Sequence, residues 1–209
     1  EIQIASIDDL AAAVAERRDR VDATDGPAKI ARTPDVVSLA EFSEAAAYDD
    51  DRWRLPVGLD TRTLLPAALH VHSPSGALIL GDAGTGKSTL LTNIARSVLQ
   101  LNADIDIHAI ASTWCPLLLL PRLAGATTMA GIDAWAEDFF ARTDRARLVL
   151  VDDADRLEGP ILERLAALGD HRVVVVAAGR IRDLELPAHW TAPLRKSRTA
   201  VLLRPLAGD

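Results

Sequence analysis

A short glycine-rich segment has the residue types and the spacing to hold phosphate groups. It fits the pattern G-x-x-x-x-G-K-[ST]. Its members, with the threonine that follows, are Gly81, Asp82, Ala83, Gly84, Thr85, Gly86, Lys87, Ser88 and Thr89. Glycines let the backbone curl so that successive N–H groups point at one anion, and a helix beginning near Lys87 adds the positive end of its dipole. A glycine-rich turn without a ligand is the alternative, but the apolar run before the loop and the amphipathic pattern after it favour a phosphate site.

A second apolar run ends in two carboxylates, Asp152 and Asp153, in the manner of a Walker B motif. We expect Lys87 to contact the β- and γ-phosphates of ATP, while Ser88 and Asp152 hold Mg²⁺. Asp153 stands where an acid polarises the attacking water, and a glutamate is commoner there. Because aspartate is one methylene shorter, we predict an ATPase with slow hydrolysis whose catalytic residues are Lys87, Asp152 and Asp153. Taken alone, the two carboxylates would also suit a helix N-cap after a strand.

A third apolar run is followed by Arg180. Polar side chains at the carboxyl ends of parallel strands commonly contact the ligand, so Arg180 is a candidate for sensing the γ-phosphate. A surface arginine with no such role is the equal alternative.

Composition argues against several classes of partner. The chain has 23 Lys and Arg against 30 Asp and Glu, a formal charge of −7, and only 4% aromatic residues. An acidic chain with few rings has neither a net attraction to a phosphate backbone nor many surfaces for stacking bases, so DNA is an improbable partner. The single cysteine, Cys115, excludes an internal disulfide and fits a reducing compartment.

No apolar run approaches the ~20 residues that span a bilayer, so membrane attachment is expected only through a longer parent chain.

The segments that must position these residues alternate between two patterns. Continuous apolar runs, which suit strands buried on both faces of a parallel sheet, are Ala77–Leu80, Ile105–Ala111, Arg147–Val151, Val173–Ala177 and Ala200–Leu203. Helical patterns between them are Thr89–Gln100, Ile132–Ala141 and Ile161–Leu168. This alternation predicts an α/β fold with a doubly wound, mostly parallel sheet flanked by helices.

The first 50 residues are organised differently. In order, we predict a helix over 6–21, an extended arm over Thr24–Pro34, a short helix that starts at Ser38, and an acidic exposed loop over Tyr48–Asp51. Glu41 lies three residues after Ser38, which is the spacing of a capping box. We therefore divide the chain into an N-terminal helical and extended arm, residues 1–50, and a P-loop ATPase core, residues 51–209.

Several stretches together resemble the FtsK/SpoIIIE-type motor ATPases, and in particular the tandem ATPase modules of the EccC family of type VII secretion. The resemblance covers roughly residues 53–205. Besides the glycine-rich loop and the paired carboxylates, it rests on Leu55–Asp60, His189, Trp190, Leu194, Arg195, Arg198, Val201–Leu203, Arg204 and Pro205. Pro27–Leu39 also resembles the proline-containing arm that precedes such modules.

The resemblance implies a RecA/FtsK-like core that uses ATP and Mg²⁺ and assembles with neighbouring modules in a ring or a tandem array. It implies a place at the cytoplasmic face of the cell membrane, within a larger membrane-anchored protein, and a secreted WXG-type helical-hairpin protein as partner. Lys87, Ser88 and Asp152 match the family's phosphate and metal positions, and Asp153 matches its water-polarising acid.

Two departures bear on function. Ala177–Arg180 stands where DNA-pumping members carry a polar, glutamine-containing segment, and the region after Asp153 is compact. The leading hypothesis is therefore a slowly hydrolysing module that drives or gates protein export. A DNA translocase module and a regulatory module that binds ATP with little turnover are the alternatives. Arg195 and Arg198 are candidate arginine fingers toward the ATP of a neighbouring module.

Overall fold

The computed structural model describes residues 37–101, 104–142, 144–184 and 186–203. The helix expected over 6–21 and the arm expected over Thr24–Pro34 lie outside these residues. The strands are β1 (Ala47–Asp49), β2 (Arg52–Leu59), β3 (Pro66–His72), β4 (Gly76–Leu80), β5 (Ile105–Ala111), β6 (Gly125–Thr128), β7 (Ala146–Val151), β8 (Val173–Gly179) and β9 (Ala200–Leu202). The helices are α1 (Leu39–Ser43), α2 (Lys87–Val98), α3 (Ile132–Ala141), α4 (Pro160–Ala166), α5 (Ile181–Leu184) and α6 (Ala192–Arg195).

Six strands form one parallel sheet in the order β6-β5-β7-β8-β4-β9. All five strands predicted from apolar runs lie in it, which confirms the α/β class and the parallel sheet. β6 escaped prediction because its sequence, Gly-Ala-Thr-Thr, has no apolar run. Strand β7 lies between β5 and β8, and β8 in turn separates it from β4.

Helices and a second sheet cover the two faces of the parallel sheet, which explains why five of its strands carry continuous apolar runs. On one face, α2 packs with Trp53 and Leu55 of β2 against alternate strand residues such as Ile79. On the other face, α3, α4 and α6 pack against the residues between them, such as Leu78. Both cores consist mainly of aliphatic side chains that are almost completely buried.

An antiparallel sheet of β1, β2 and β3 precedes the parallel sheet. The expectation that Tyr48–Asp51 forms a loop was wrong for its first half, because Tyr48 and Asp49 belong to β1. The ring of Tyr48 lies 4.5 Å from that of Trp53, centroid to centroid, so the hairpin buries aromatic surface that the run of acids obscured. The turn itself consists of Asp50, with φ of +54°, and Asp51.

The short helix α1 begins as predicted. The Ser38 hydroxyl accepts a hydrogen bond from the Glu41 backbone N–H at 3.2 Å, and the Glu41 carboxylate accepts one from the Ser38 N–H at 3.1 Å, which completes a capping box. The helix is tied to α2 through the hydroxyls of Ser43 and Ser97, 3.1 Å apart. The division of the chain at residue 50 stays a prediction. Among the described residues, no helix combines the length and the apolar character needed to cross a membrane.

Candidate functional site

The glycine-rich loop connects β4 to α2, and its geometry requires glycine at three positions. Gly84 and Gly86 have φ of +76° and +97°, a region that side chains disfavour. A Cβ on Gly81 would lie 2.6 Å from the Thr85 hydroxyl oxygen and 3.0 Å from the Leu203 carbonyl oxygen. Gly86 caps α2 without any side-chain hydrogen bond, so the first N–H groups of a twelve-residue helix have no side-chain cap.

Lys87 is the first residue of α2 and is folded back onto the loop. Its Nζ donates hydrogen bonds to the carbonyl oxygens of Gly81 at 2.8 Å and of Asp82 at 2.7 Å. The side chain is 9% exposed, and both partners are neutral. Among the residues that the structure describes, no carboxylate contacts this ammonium group directly. A positive charge therefore lies beside the uncapped end of the helix, an arrangement that suits an anion.

Asp152 and Asp153 follow β7, as predicted, and have different surroundings. Asp152 is 2% exposed, and its backbone N–H is fixed by the Ile110 carbonyl oxygen at 2.8 Å. Burial raises the pKa of the Asp152 carboxyl above its usual range, as does the charge on Asp153, while the Ser88 hydroxyl and the charge on Lys87 lower that pKa. The ionised carboxylate is thus disfavoured chiefly because it is buried, and the attraction of a nearby cation would offset that cost.

Asp153 is half-buried and takes the left-handed backbone conformation, with φ of +52°. Its N–H donates to Oδ1 of Asp152 at 3.0 Å, and its Oδ2 accepts from the hydroxyl of Ser112 at 2.6 Å. Both the backbone and the side chain of Asp153 are therefore fixed by neighbours.

One cavity of about 350 Å³ brings these groups together. Its lining comprises Ala83, Gly84, Gly86, Lys87, Ser88, Thr89, Asp153, Asp155, Arg156 and Arg180. Six of the nine predicted loop residues thus meet the second carboxylate and the candidate sensor Arg180 in one place. The predicted residues Gly81, Asp82, Thr85 and Asp152 are not in the lining. The Arg180 side chain is 45% exposed, and its guanidinium lies 3.7 Å from the Asp155 carboxylate. Asp155 therefore neutralises the charge of Arg180 in this structure.

The other two candidate arginines lie elsewhere. Arg195, in α6, donates a hydrogen bond from Nη2 to the Leu186 carbonyl oxygen at 3.1 Å, and Arg198 is in a turn with φ of +55°. Neither lines the cavity around Lys87.

Sequence reasoning missed three residues of the site: Ser112, Asp155 and Arg156. Ser112 is the first polar residue after the apolar strand β5, and that position was the available signal. Asp155 and Arg156 belong to a single 3-10 turn over Ala154–Arg156 directly after the paired carboxylates. The residue types alone did not predict the geometry of this turn.

The donor set around the loop suits a phosphate chain better than a bare metal ion. In the described ranges, no group of three or more His, Cys, Asp or Glu side chains is placed to hold a metal. A Mg²⁺ ion beside Ser88 and Asp152 would therefore draw its remaining ligands from phosphate oxygens and water, which is how Mg²⁺ is usually held.

Comparison with known proteins gives a short sequence match and a long structural one. No model of a known protein family matches the chain. The ESX-1 secretion system protein EccCb1 of Mycobacterium tuberculosis is 40% identical over 57 residues, which is 27% of this chain and 10% of that protein.

Solved structures match over most of the chain. The cytoplasmic domain of EssC superposes with a TM-score of 0.65 at 20% identity, covering 96% of this chain and 46% of that one. Thermomonospora curvata EccC (ATPases 2 and 3), solved with a signal sequence peptide, has a TM-score of 0.63 at 17% identity, covering 81% and 36%. EssC (ATPases 2 and 3) from Geobacillus thermodenitrificans has a TM-score of 0.60 at 18% identity, covering 96% and 44%.

The chain has the fold of an EccC/EssC ATPase module. Identities of 20% or less show the fold, and the sequence match to EccCb1 points the same way over a shorter stretch. The module spans a tenth of EccCb1 and less than half of each of these solved chains.

Proposed function

We propose that this chain is an ATP-binding, slowly hydrolysing motor module of a type VII secretion ATPase that drives or gates protein export. The observation that carries the proposal is the meeting of Lys87, Ser88 and Asp153 in one cavity, next to the buried Asp152, in a module with the EccC/EssC fold. Each of these groups has the chemistry that a nucleotide triphosphate with Mg²⁺ requires.

The loop and the helix start would hold the phosphates. The uncapped N–H groups of α2 and the curled backbone over Gly81–Ser88 form an anion cradle, and Lys87 adds a full positive charge. Its two present partners are backbone carbonyls, so Lys87 exchanges neutral acceptors for charged phosphate oxygens when it binds. The cost of this exchange is small compared with breaking an ion pair.

Ser88 and Asp152 would hold Mg²⁺, which neutralises charge on the phosphates when bound. The position of Asp152 supports this role, because its carboxylate is buried beside Ser88 and Lys87 and would gain from the attraction of a cation. Asp153 would orient the attacking water, and Arg180 would turn from Asp155 toward the γ-phosphate. The short side chain of Asp153 and its fixed position are the reasons to expect slow hydrolysis.

The partners follow from the relatives and are part of the proposal. A related structure contains EccC bound to a signal sequence peptide, and a WXG-type helical-hairpin protein would supply such a signal here. Neighbouring ATPase modules would complete the assembly at the cytoplasmic face of the membrane, with Arg195 and Arg198 as candidates to reach a neighbour's ATP. The net charge of −7 opposes the DNA translocase alternative.

Calorimetry with Mg²⁺–ATP tests nucleotide binding directly. We expect the unsubstituted chain to release heat on binding Mg²⁺–ATP and Lys87→Ala to lose most of this binding heat. Lys196→Ala removes an exposed lysine and should bind like the unsubstituted chain. Circular dichroism of all three proteins would check that Lys87→Ala remains folded. Absence of binding by the unsubstituted chain, or equal binding by both variants, would contradict the proposal.

Two further assays separate the alternatives. Salt-dependent mobility shifts with duplex DNA would favour a DNA translocase module. ATP binding without detectable single-turnover hydrolysis, in the presence and absence of a signal peptide, would favour the regulatory module with little turnover.

A further inference from the structure

Ser112 and Asp153 are neighbours because of strand register. In the parallel pairing of β5 with β7, Ile110 lies opposite Val151. Two residues further along, each strand has ended, and the Ser112 hydroxyl meets the Asp153 carboxylate at 2.6 Å. This is a short hydrogen bond to a carboxylate in a half-buried setting, the class that contributes most to fixing a side chain.

The contact lies on one particular side of β7. The sheet order places β5 on one side of β7, and places β8 and the loop-bearing strand β4 on the other. Ser112 therefore holds the Asp153 carboxylate from the side opposite to Lys87 and Ser88. Rotation of the carboxylate away from Ser112, toward the residues of the loop, would stretch this bond at Oδ2.

The backbone of Asp153 is also held in place, so it cannot easily shift the carboxylate toward the nucleotide. Its φ of +52° is a conformation that costs free energy outside glycine, and its N–H is held by Oδ1 of Asp152 at 3.0 Å. An aspartate has only one methylene between Cα and the carboxylate. Movement toward the nucleotide must therefore come from side-chain rotation, and that rotation is what the Ser112 hydroxyl opposes.

We propose that Ser112 is a positioning residue that restrains Asp153 away from the attacking water and keeps ATP hydrolysis slow. The inference rests on the proposed ATPase function and deepens it, because it assigns part of the slow turnover to one hydrogen bond between adjacent strands.

The test measures single-turnover hydrolysis and Mg²⁺–ATP affinity in parallel, using the full chain. Ser112→Ala should raise the hydrolysis rate by roughly threefold or more, a modest part of what a hydrogen bond to a charged group is worth, with unchanged affinity. Ser112→Thr keeps the hydroxyl, so its hydrolysis rate should be closer to that of the unsubstituted chain than to that of Ser112→Ala. Thr113→Ala removes the adjacent exposed hydroxyl and is the matched control.

A background without the acid isolates the contact. In Asp153→Asn, adding Ser112→Ala should change nothing, since no acid remains to be released. A Ser112→Ala rate that is unchanged or lower, or a rise that persists in the Asp153→Asn background, would overturn the inference. Failure of the unsubstituted chain to bind Mg²⁺–ATP is a separate result that refutes the proposed function itself.

Discussion

The indole Nε1 of Trp190 donates a hydrogen bond to the backbone carbonyl oxygen of Ala154 at 3.2 Å. Ala154 follows the two carboxylates of the site, and Trp190 lies 36 residues further along the chain, in the stretch that resembles motor ATPases. Both residues are almost completely buried, at 0% and 5% exposure. The bond thus connects the 3-10 turn that carries Asp155 and Arg156 to the core that α3, α4 and α6 form on one face of the parallel sheet.

Trp190→Phe should destabilise the protein by about 0.5–1.5 kcal/mol, because the buried Ala154 carbonyl would lose the indole donor while retaining the bond from the Leu157 N–H at 3.3 Å. Urea denaturation followed by circular dichroism measures the loss. Trp114→Phe is the matched control, since Trp114 is 68% exposed and should change stability by less than about 0.5 kcal/mol. Equal effects of the two substitutions would contradict a structural role for the Trp190 bond.

The stability of the protein should depend on pH through His108. Burial, and then the charges of Arg147 and Arg142, lower the pKa of His108 from 6.5 to about 4 in the folded state. Between these two values the unfolded chain binds a proton that the folded protein excludes. Stability should therefore fall by about 1.4 kcal/mol per unit as the pH drops through this window, and the loss should level off below it.

His108→Gln should lower the pH dependence of the unfolding free energy by the amount that one proton contributes, as measured by denaturation curves recorded from pH 7 to pH 4. His72→Gln, an exposed substitution on β3, is the matched control for replacing a histidine with glutamine. If both variants kept the full slope of the unsubstituted protein, other groups would have to account for it.

Gly125→Ala should destabilise the fold by about 1–3 kcal/mol, since overpacking forces buried neighbours to move. A Cβ at this position would lie 2.7 Å from Nδ1 of His108 and 3.1 Å from the indole of Trp135, whose rings are both buried. Gly58→Ala is the control, because a Cβ there meets nothing within 4 Å. Thermal melts of the two variants would distinguish them, and similar melting temperatures would count against the tight contact at Gly125.

Asp153→Glu should raise single-turnover hydrolysis by roughly threefold or more, because the added methylene brings the acid closer to the attacking water. The ATP affinity should stay level, since Asp153 is not assigned to hold phosphate or metal. Asp133→Glu, an exposed change on α3, controls for general effects of the substitution. An unchanged rate would locate the limitation in assembly or in a missing arginine rather than in the length of the acid.

The site was largely predictable because its chemistry is local in sequence. The loop over Gly81–Ser88 needs glycines, a lysine and a hydroxyl at fixed spacing, and the structure places those residues between β4 and α2. The apolar runs predicted five strands of the parallel sheet, since strands buried on both faces consist mainly of apolar residues. Strand β6, which has no apolar run, and the antiparallel sheet of β1, β2 and β3 were missed, because their residues carry polar or mixed patterns.

By itself, then, the sequence determined the α/β class, the glycine-rich loop and the two carboxylates after β7, because each depends on residues adjacent in the chain. Only the tertiary structure decided that Ser112 meets Asp153, 41 residues away, and that it does so on the side of β7 opposite to the loop. Strand order and register fix such contacts. They arise from the packing of the whole sheet, which no local pattern specifies.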